Sequence, residues 1–175
     1  MRQLVLYIHG KGGNAMEADY YKTLFAGYDV VGLDYHADNP WEAISEFKEF
    51  FHGYRKGHDS IILIANSIGA YFSMCAFNRE QIDKAFFISP IVDMEKLILD
   101  MMGWADITEE KLREKQLITT GFGETLSWEY LCYVRNHPVN WSVPTYILYG
   151  NKDNLTSQEP IHKFANDVNA ELTIM

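Results

Sequence analysis

Ser67 stands where an apolar, β-branched run, Ser60-Ile61-Ile62-Leu63-Ile64-Ala65-Asn66, gives way to Ile68-Gly69-Ala70. Unbroken isoleucine and leucine suit a strand buried on both faces, as in a parallel sheet. A serine on a sharp strand-to-helix turn presents its hydroxyl as a nucleophile, in the pattern written G-x-S-x-G. Here Ala65 takes the first glycine position, adding one methyl, and Gly69 takes the last. Neighbours without bulk let strand and helix pass closely while the serine is held in a strained backbone. The helix that follows aims its N-terminal N–H groups and dipole at the point where negative charge would develop. The alternative is a serine that merely caps a helix, so companions are needed.

The first companion is His9-Gly10-Lys11-Gly12-Gly13, which follows the apolar run Leu4–Ile8. Acyl transfer needs two backbone N–H groups for the oxyanion, one after the nucleophile and one from the loop behind the first central strand. These are Ile68 and Lys11, with Gly12 the runner-up; each such donor is worth roughly 3–4 kcal/mol. A phosphate loop is the alternative, but neither G-x-x-x-x-G-K-[ST] nor G-x-G-x-x-G is met. His9, on the strand before the turn, is expected to brace the loop. The second companion is Asp153, in Gly150-Asn151-Lys152-Asp153 after the run Thr145–Tyr149. An acid that orients a histidine and stabilises its imidazolium must be fixed at a strand end. Asp93 is the rival and an ordinary turn aspartate the alternative for either; Asp153 is favoured.

The elements that must position these groups alternate. Strands are expected at Leu4–Ile8, Tyr28–Tyr35, the Ser67 run, Ala85–Ile88, Thr145–Tyr149 and Glu171–Met175. Between them, Ala15–Phe25 reads as a helix with Met16, Tyr20 and Leu24 on one face. Asn39, Pro40 and Glu42 start a second helix, with Trp41, Ile44, Phe47, Phe51 and Tyr54 as its buried stripe. Another helix follows Ser67, and one over 157–168 buries Ile161, Phe164 and Val168. The stretch Ile91–Val143 is an excursion of three short helices, about 94–102, 108–116 and 126–136, with a two-glycine linker over 117–124; so long a connection is usually functional. Alternating strand and helix means α/β architecture, a mainly parallel sheet with helices on both faces. The ligand then sits beyond the carboxyl ends of the strands, where strand order reverses, with the glycine loop and Ser67.

The 175 residues suit one domain, and an apolar share of 47% is ordinary for a globular chain. A net charge of -9 argues against a nucleic-acid or anionic-membrane partner. The two cysteines, Cys75 and Cys132, fit neither a metal spacing nor a disulfide framework. No run is long and apolar enough to span a membrane. The chain enters a strand at once, leaving no room for a signal peptide, so a cytoplasmic location is expected.

Taken together, the His9-Gly10 loop, the Ala65-x-Ser67-x-Gly69 elbow and the Gly150–Asp153 turn resemble those of the α/β-hydrolase family, over nearly the whole chain. The likeness is to small bacterial serine hydrolases with a helical cap, the cap being 91–143 inserted into a single domain of 1–175. The resemblance implies a three-layer sandwich with a six-stranded sheet in the order 2-1-3-4-5-6, the family's two antiparallel N-terminal strands being absent. It implies a carboxylic ester hydrolase, for an ester or thioester, with Ser67 the nucleophile, Asp153 the acid, and Lys11 and Ile68 the oxyanion donors. No cofactor or metal is implied, and the partner is a small-molecule acyl substrate. Met101, Met102, Trp104, Phe122, Trp128 and Tyr130 either shape the acyl pocket or form the core of the cap.

The family places its histidine after the sixth strand, where the sequence stops at Met175. His162 lies before that strand and reads as a surface residue; His36, His52, His58 and His137 are badly placed to bridge Ser67 and Asp153. Two explanations fit: the chain stops short of the native C-terminus, which is preferred, or the protein has lost its base. On either, this chain is expected to be nearly inactive. A non-catalytic binder of a small ligand or partner is the second hypothesis, and an amidase or lyase on the same site a third. Substrate identity and oligomeric state stay open, and an exposed sixth strand invites pairing with another copy.

Overall fold

The computed structural model describes residues 2–78 and 81–175. The chain divides into two compact units, Met1–Val92 with Asn140–Met175, and Asp93–Val139. Its strands are β1 Gln3–Ile8, β2 Asp29–Leu33, β3 Ser60–Asn66, β4 Lys84–Ile88, β5 Leu117–Thr119, β6 Thr125–Ser127, β7 Thr145–Tyr149 and β8 Glu171–Ile174. Its α-helices are α1 Pro40–Arg55, α2 Ile68–Ala76, α3 Met94–Trp104, α4 Glu109–Lys115, α5 Trp128–Asn136 and α6 Gln158–Asp167. Among the described residues, no helix is long and apolar enough to cross a membrane.

In the first unit, six strands form one parallel sheet in the order β2-β1-β3-β4-β7-β8, the order that the family resemblance implies. The chain steps one way from β1 to β2, then the other way through β3 and β4. Right-handed crossovers therefore place α1 and α2 on one face and the β1–β2 connection on the other. On the first face Tyr35 meets Phe47 and Phe72 edge-on, at ring separations of 5.1 and 6.0 Å, and Phe77 packs against Phe47 and Phe51. On the second face Val5, Tyr7, Ala18 and Ile64 form a core flanked by Tyr21, Phe25, Tyr28 and Ile62. Residues of β1 and β3 alternate between these faces, which is why both strands read as unbroken apolar runs.

Helix α1 begins as its sequence signals: the Asn39 side chain accepts from Glu42 N at 2.9 Å and Pro40 occupies the first turn. Its buried stripe is Ala43, Phe47 and Phe51, with Trp41, Ile44 and Tyr54 half-buried. The stretch after Asn14 departs from expectation. It forms a 3-10 helix over Ala15–Tyr21, and Met16, Tyr20 and Leu24 are exposed. Three residues per turn line up Ala18 with Tyr21 instead, and those two face the sheet.

The second unit packs α3, α4 and α5 with an antiparallel hairpin, β5 with β6. The expected linker over 117–124 is thus partly strand, closed at Gly123 with φ +90, where Thr120 N donates to Glu124 O at 2.7 Å. Leu97, Ile98, Met102, Leu112, Leu126 and Leu131 are among its buried residues. Trp104 and Phe122 are exposed and meet each other edge-on at 6.1 Å. Arg135 ties the three helices, its guanidinium donating to Glu95 at 2.6 Å and to Glu109 at 2.6 and 2.9 Å.

Candidate active site

Strand order reverses between β1 and β3, so the crevice for a ligand lies beyond their carboxyl ends. Ser67 follows β3 there, with φ 52 and ψ -120. A serine rarely adopts that backbone, and holding it costs roughly 1–3 kcal/mol. The surroundings over-determine it: Ser67 N donates to Ile88 O at 3.0 Å, and Ser67 O accepts from Ala70 N and Ile91 N, each at 3.1 Å. The hydroxyl makes no cap bond to α2, and an N-cap needs extended backbone. Ser67 is therefore not a capping serine; its hydroxyl is left for other work.

The glycine loop lies against it. A Cβ built on Gly10 would come within 3.2 Å of Ser67 Cβ and 3.3 Å of Asn66 O. The loop closes as a turn, Gly13 N donating to Gly10 O at 3.1 Å with Gly12 at φ +76. Lys11 is exposed at the tip of that turn, and Ile68 is the first residue of α2. The fold thus brings Ser67, Ile68 and the loop that carries Lys11 together. His9 is buried, its ring stacked on Tyr35 at 4.3 Å. Its Nδ1 lies 2.8 Å from Gly10 O; a carbonyl only accepts, so Nδ1 carries the proton. Tyr35 donates its hydroxyl to His9 O at 2.8 Å. These bonds run from His9 into the loop and its neighbours, not toward Ser67.

Asp153 lies in the turn after β7, half-buried. Asp153 N donates to Gly150 O at 3.1 Å. Its Oδ1 accepts from Leu155 N at 2.8 Å and Thr156 N at 3.3 Å, and its Oδ2 from Thr156 Oγ1 at 3.3 Å. The carboxylate is thereby oriented by its own turn while keeping acceptor capacity. Asp93 has a different job: it is exposed, and its Oδ1 caps α3 by accepting from Lys96 N at 2.9 Å. One strand, β4, separates β3 from β7, so the two turns start about 10 Å apart at ordinary strand spacing. A residue that no motif marks links them. Ser89, at the end of β4 with φ +40, donates its N–H to Leu148 O at 2.8 Å and accepts from Gly150 N through Oγ at 3.4 Å. Its only signal in the sequence is a serine before Pro90 at a strand end.

Among the described residues, none of the six histidines bonds to Ser67 or Asp153. His36, His52 and His162 are exposed, and His137 bonds to Tyr133 O in the second unit. His58 lies at the opposite edge of the sheet, between Tyr54 O and Asp29 Oδ2, each 2.7 Å away. That edge holds an open groove of about 520 Å³ lined by Arg2, Lys22, Phe25, Tyr28, Tyr54 and His58. It is not at the carboxyl ends of the strands.

No family model matches this sequence, and no curated protein matches it. Solved structures do. Est1E from Butyrivibrio proteoclasticus superposes with a TM-score of 0.75 at 16% identity, covering 99% of this chain and 78% of that one. Mouse alpha/beta hydrolase domain-containing protein 10 gives 0.74 at 13%, covering 98% and 78%. A thioesterase domain from the curacin biosynthetic pathway gives 0.62 at 14%, covering 99% and 84%.

Proposed function

The chain has the α/β-hydrolase fold, and on that fold we propose a serine hydrolase that cleaves an ester or thioester through an acyl-enzyme. The observation that carries this reading is Ser67 itself, held at φ 52 with no cap bond, beside a glycine turn that begins within van der Waals reach. Ser67 Oγ attacks the acyl carbon, and its proton passes to a general base. The carbonyl oxygen becomes an oxyanion facing Lys11 N–H and Ile68 N–H. The bond to the leaving alcohol or thiol breaks, and the base returns the proton to it. Water then repeats the sequence to free the acid. Asp153 orients the base and stabilises its charged form. The base is not one of the six histidines present, so the 175-residue chain alone is proposed to be nearly inactive. Loss of the base in such a site removes about 10⁶ of kcat.

Among the described residues no histidine bonds to Asp153, which favours a second reading: a hydrolase-fold protein that binds a small ligand without turning it over. One experiment separates the two. The chain, and the product of its complete reading frame, are treated with a fluorophosphonate and weighed by intact mass spectrometry. A single adduct on the product of the complete reading frame that Ser67→Ala abolishes is the expected result. An adduct on neither overturns the hydrolase in favour of the binder.

A further inference from the structure

The tyrosine hydroxyl buried beside the glycine turn is not used by the chemistry above. Tyr7 lies on β1, 2% exposed, and donates to Glu17 Oε2 at 2.5 Å. Asn66 lies two residues beyond Ile64 on β3, and so on the same face of the sheet as Tyr7. Glu17 and Asn66 reach the two ends of the turn. A Cβ on Gly13 would meet Glu17 Oε1 and Oε2 at 2.9 and 3.1 Å, and a Cβ on Gly10 would meet Asn66 Cγ at 3.7 Å. Glu17 thus lies against Gly13 and Asn66 against Gly10, with Lys11 between the ends. Asn66 also precedes Ser67 directly. We propose that Tyr7, Glu17 and Asn66 form a strut that sets the spacing between the glycine turn and the nucleophile turn, and so the aim of the Lys11 and Ile68 N–H groups. The inference rests on the serine-hydrolase reading.

The strut is built to stay closed. Burial, then the Glu17 carboxylate, push the Tyr7 hydroxyl far above its ordinary range, so it remains a donor across the working pH. Glu17 sits on the 3-10 helix that follows the loop and is half-buried. Anchoring that helix to β1 is the plainer role for the pair, and the two roles differ in what they move. An anchor changes stability; a strut changes stabilisation of the tetrahedral state, where a misplacement of about 1 Å costs about 10²-fold.

The test uses the product of the complete reading frame, with p-nitrophenyl acetate as substrate and phenylboronic acid as a tetrahedral mimic. Binding of the boronic acid is read by boron NMR and needs no turnover. Tyr7→Phe and Glu17→Ala are expected to lower kcat and boronic-acid affinity together, by about tenfold or more, with KM little changed. Glu17→Gln, whose amide oxygen still accepts from Tyr7, is expected to recover part of the Glu17→Ala loss. Lower thermal stability with kcat and boronic-acid affinity untouched makes the pair an anchor and overturns the inference. Tetrahedral boron that disappears in Ser67→Ala but forms in Tyr7→Phe with the parent's affinity overturns the strut and leaves the hydrolase reading standing. No tetrahedral boron that depends on Ser67 overturns both.

Discussion

A Cβ built on Gly69 would collide with the carbonyl oxygen of His9 and lie 2.9 Å from Ile8 Cγ2. The first turn of α2 therefore crosses the end of β1 at backbone contact, and that crossing sets the Ser67 turn beside the glycine loop. Gly69→Ala is expected to destabilise the protein by about 3 kcal/mol, since the obstruction is backbone and cannot rotate away. Gly53→Ala is the control. Nothing lies near a Cβ there, so the better helix former should add about 0.5–1 kcal/mol. Urea midpoints of the two variants should move in opposite directions.

The strain at Ser67 gives a second prediction. Ser67→Gly relieves a backbone conformation worth roughly 1–3 kcal/mol and adds unfolded-state entropy worth roughly 0.5–1 kcal/mol. A net gain of about 1 kcal/mol is expected, with loss of fluorophosphonate labelling in the product of the complete reading frame. Ser67→Ala keeps the φ of 52 and should lose labelling without that gain. Thermal unfolding of the two side by side reads the difference.

The two candidate acids separate by mutation. Asp153→Asn, in the product of the complete reading frame, is expected to lower kcat by about 10⁴-fold, as loss of a triad acid's charge does. Asp93→Asn should leave kcat unchanged, because asparagine caps α3 as well as aspartate does. Steady-state kinetics on a chromogenic ester checks both. Equal losses in the two variants would remove Asp153 from its proposed role.

Stability should fall in acid, with two identifiable contributors. Hydrogen bonding to Arg135 holds the Glu109 carboxyl below its ordinary value, and His58, followed by Arg2, does the same for Asp29. A depressed carboxyl contributes stability that is fully present above the unfolded value of about 4 and is lost as pH falls through the folded one. Arg135→Met removes the cause at Glu109. Its urea midpoint should be lower than that of the parent at pH 7, and the two should converge below about pH 3. A constant difference across that range would contradict the linkage.

Much of this molecule is local enough to read from the chain. The apolar run before Ser67, the glycines after β1 and the Asn39-Pro40 helix start all act through short-range sterics and hydrogen bonds. Strand-helix alternation with right-handed crossovers leaves few sheet orders, and β2-β1-β3-β4-β7-β8 is the one found. Tertiary packing decided the rest. Met16, Tyr20 and Leu24 look like a helical stripe, but β1 offers a face matched to Ala18 and Tyr21, and the segment tightens to a 3-10 helix with those three in solvent. The Thr119–Thr125 pairing needed both strands in register before either looked like a strand. Tyr7, Glu17 and Asn66 share no motif, and meet because β1 pairs with β3 and the 3-10 helix packs against β1 and β2. The sequence by itself determined which residues carry the proposed chemistry, because backbone geometry at a turn depends on its own few residues. Only the tertiary structure decided what braces them, because a buried hydroxyl takes its partners from whichever strands the sheet sets beside it.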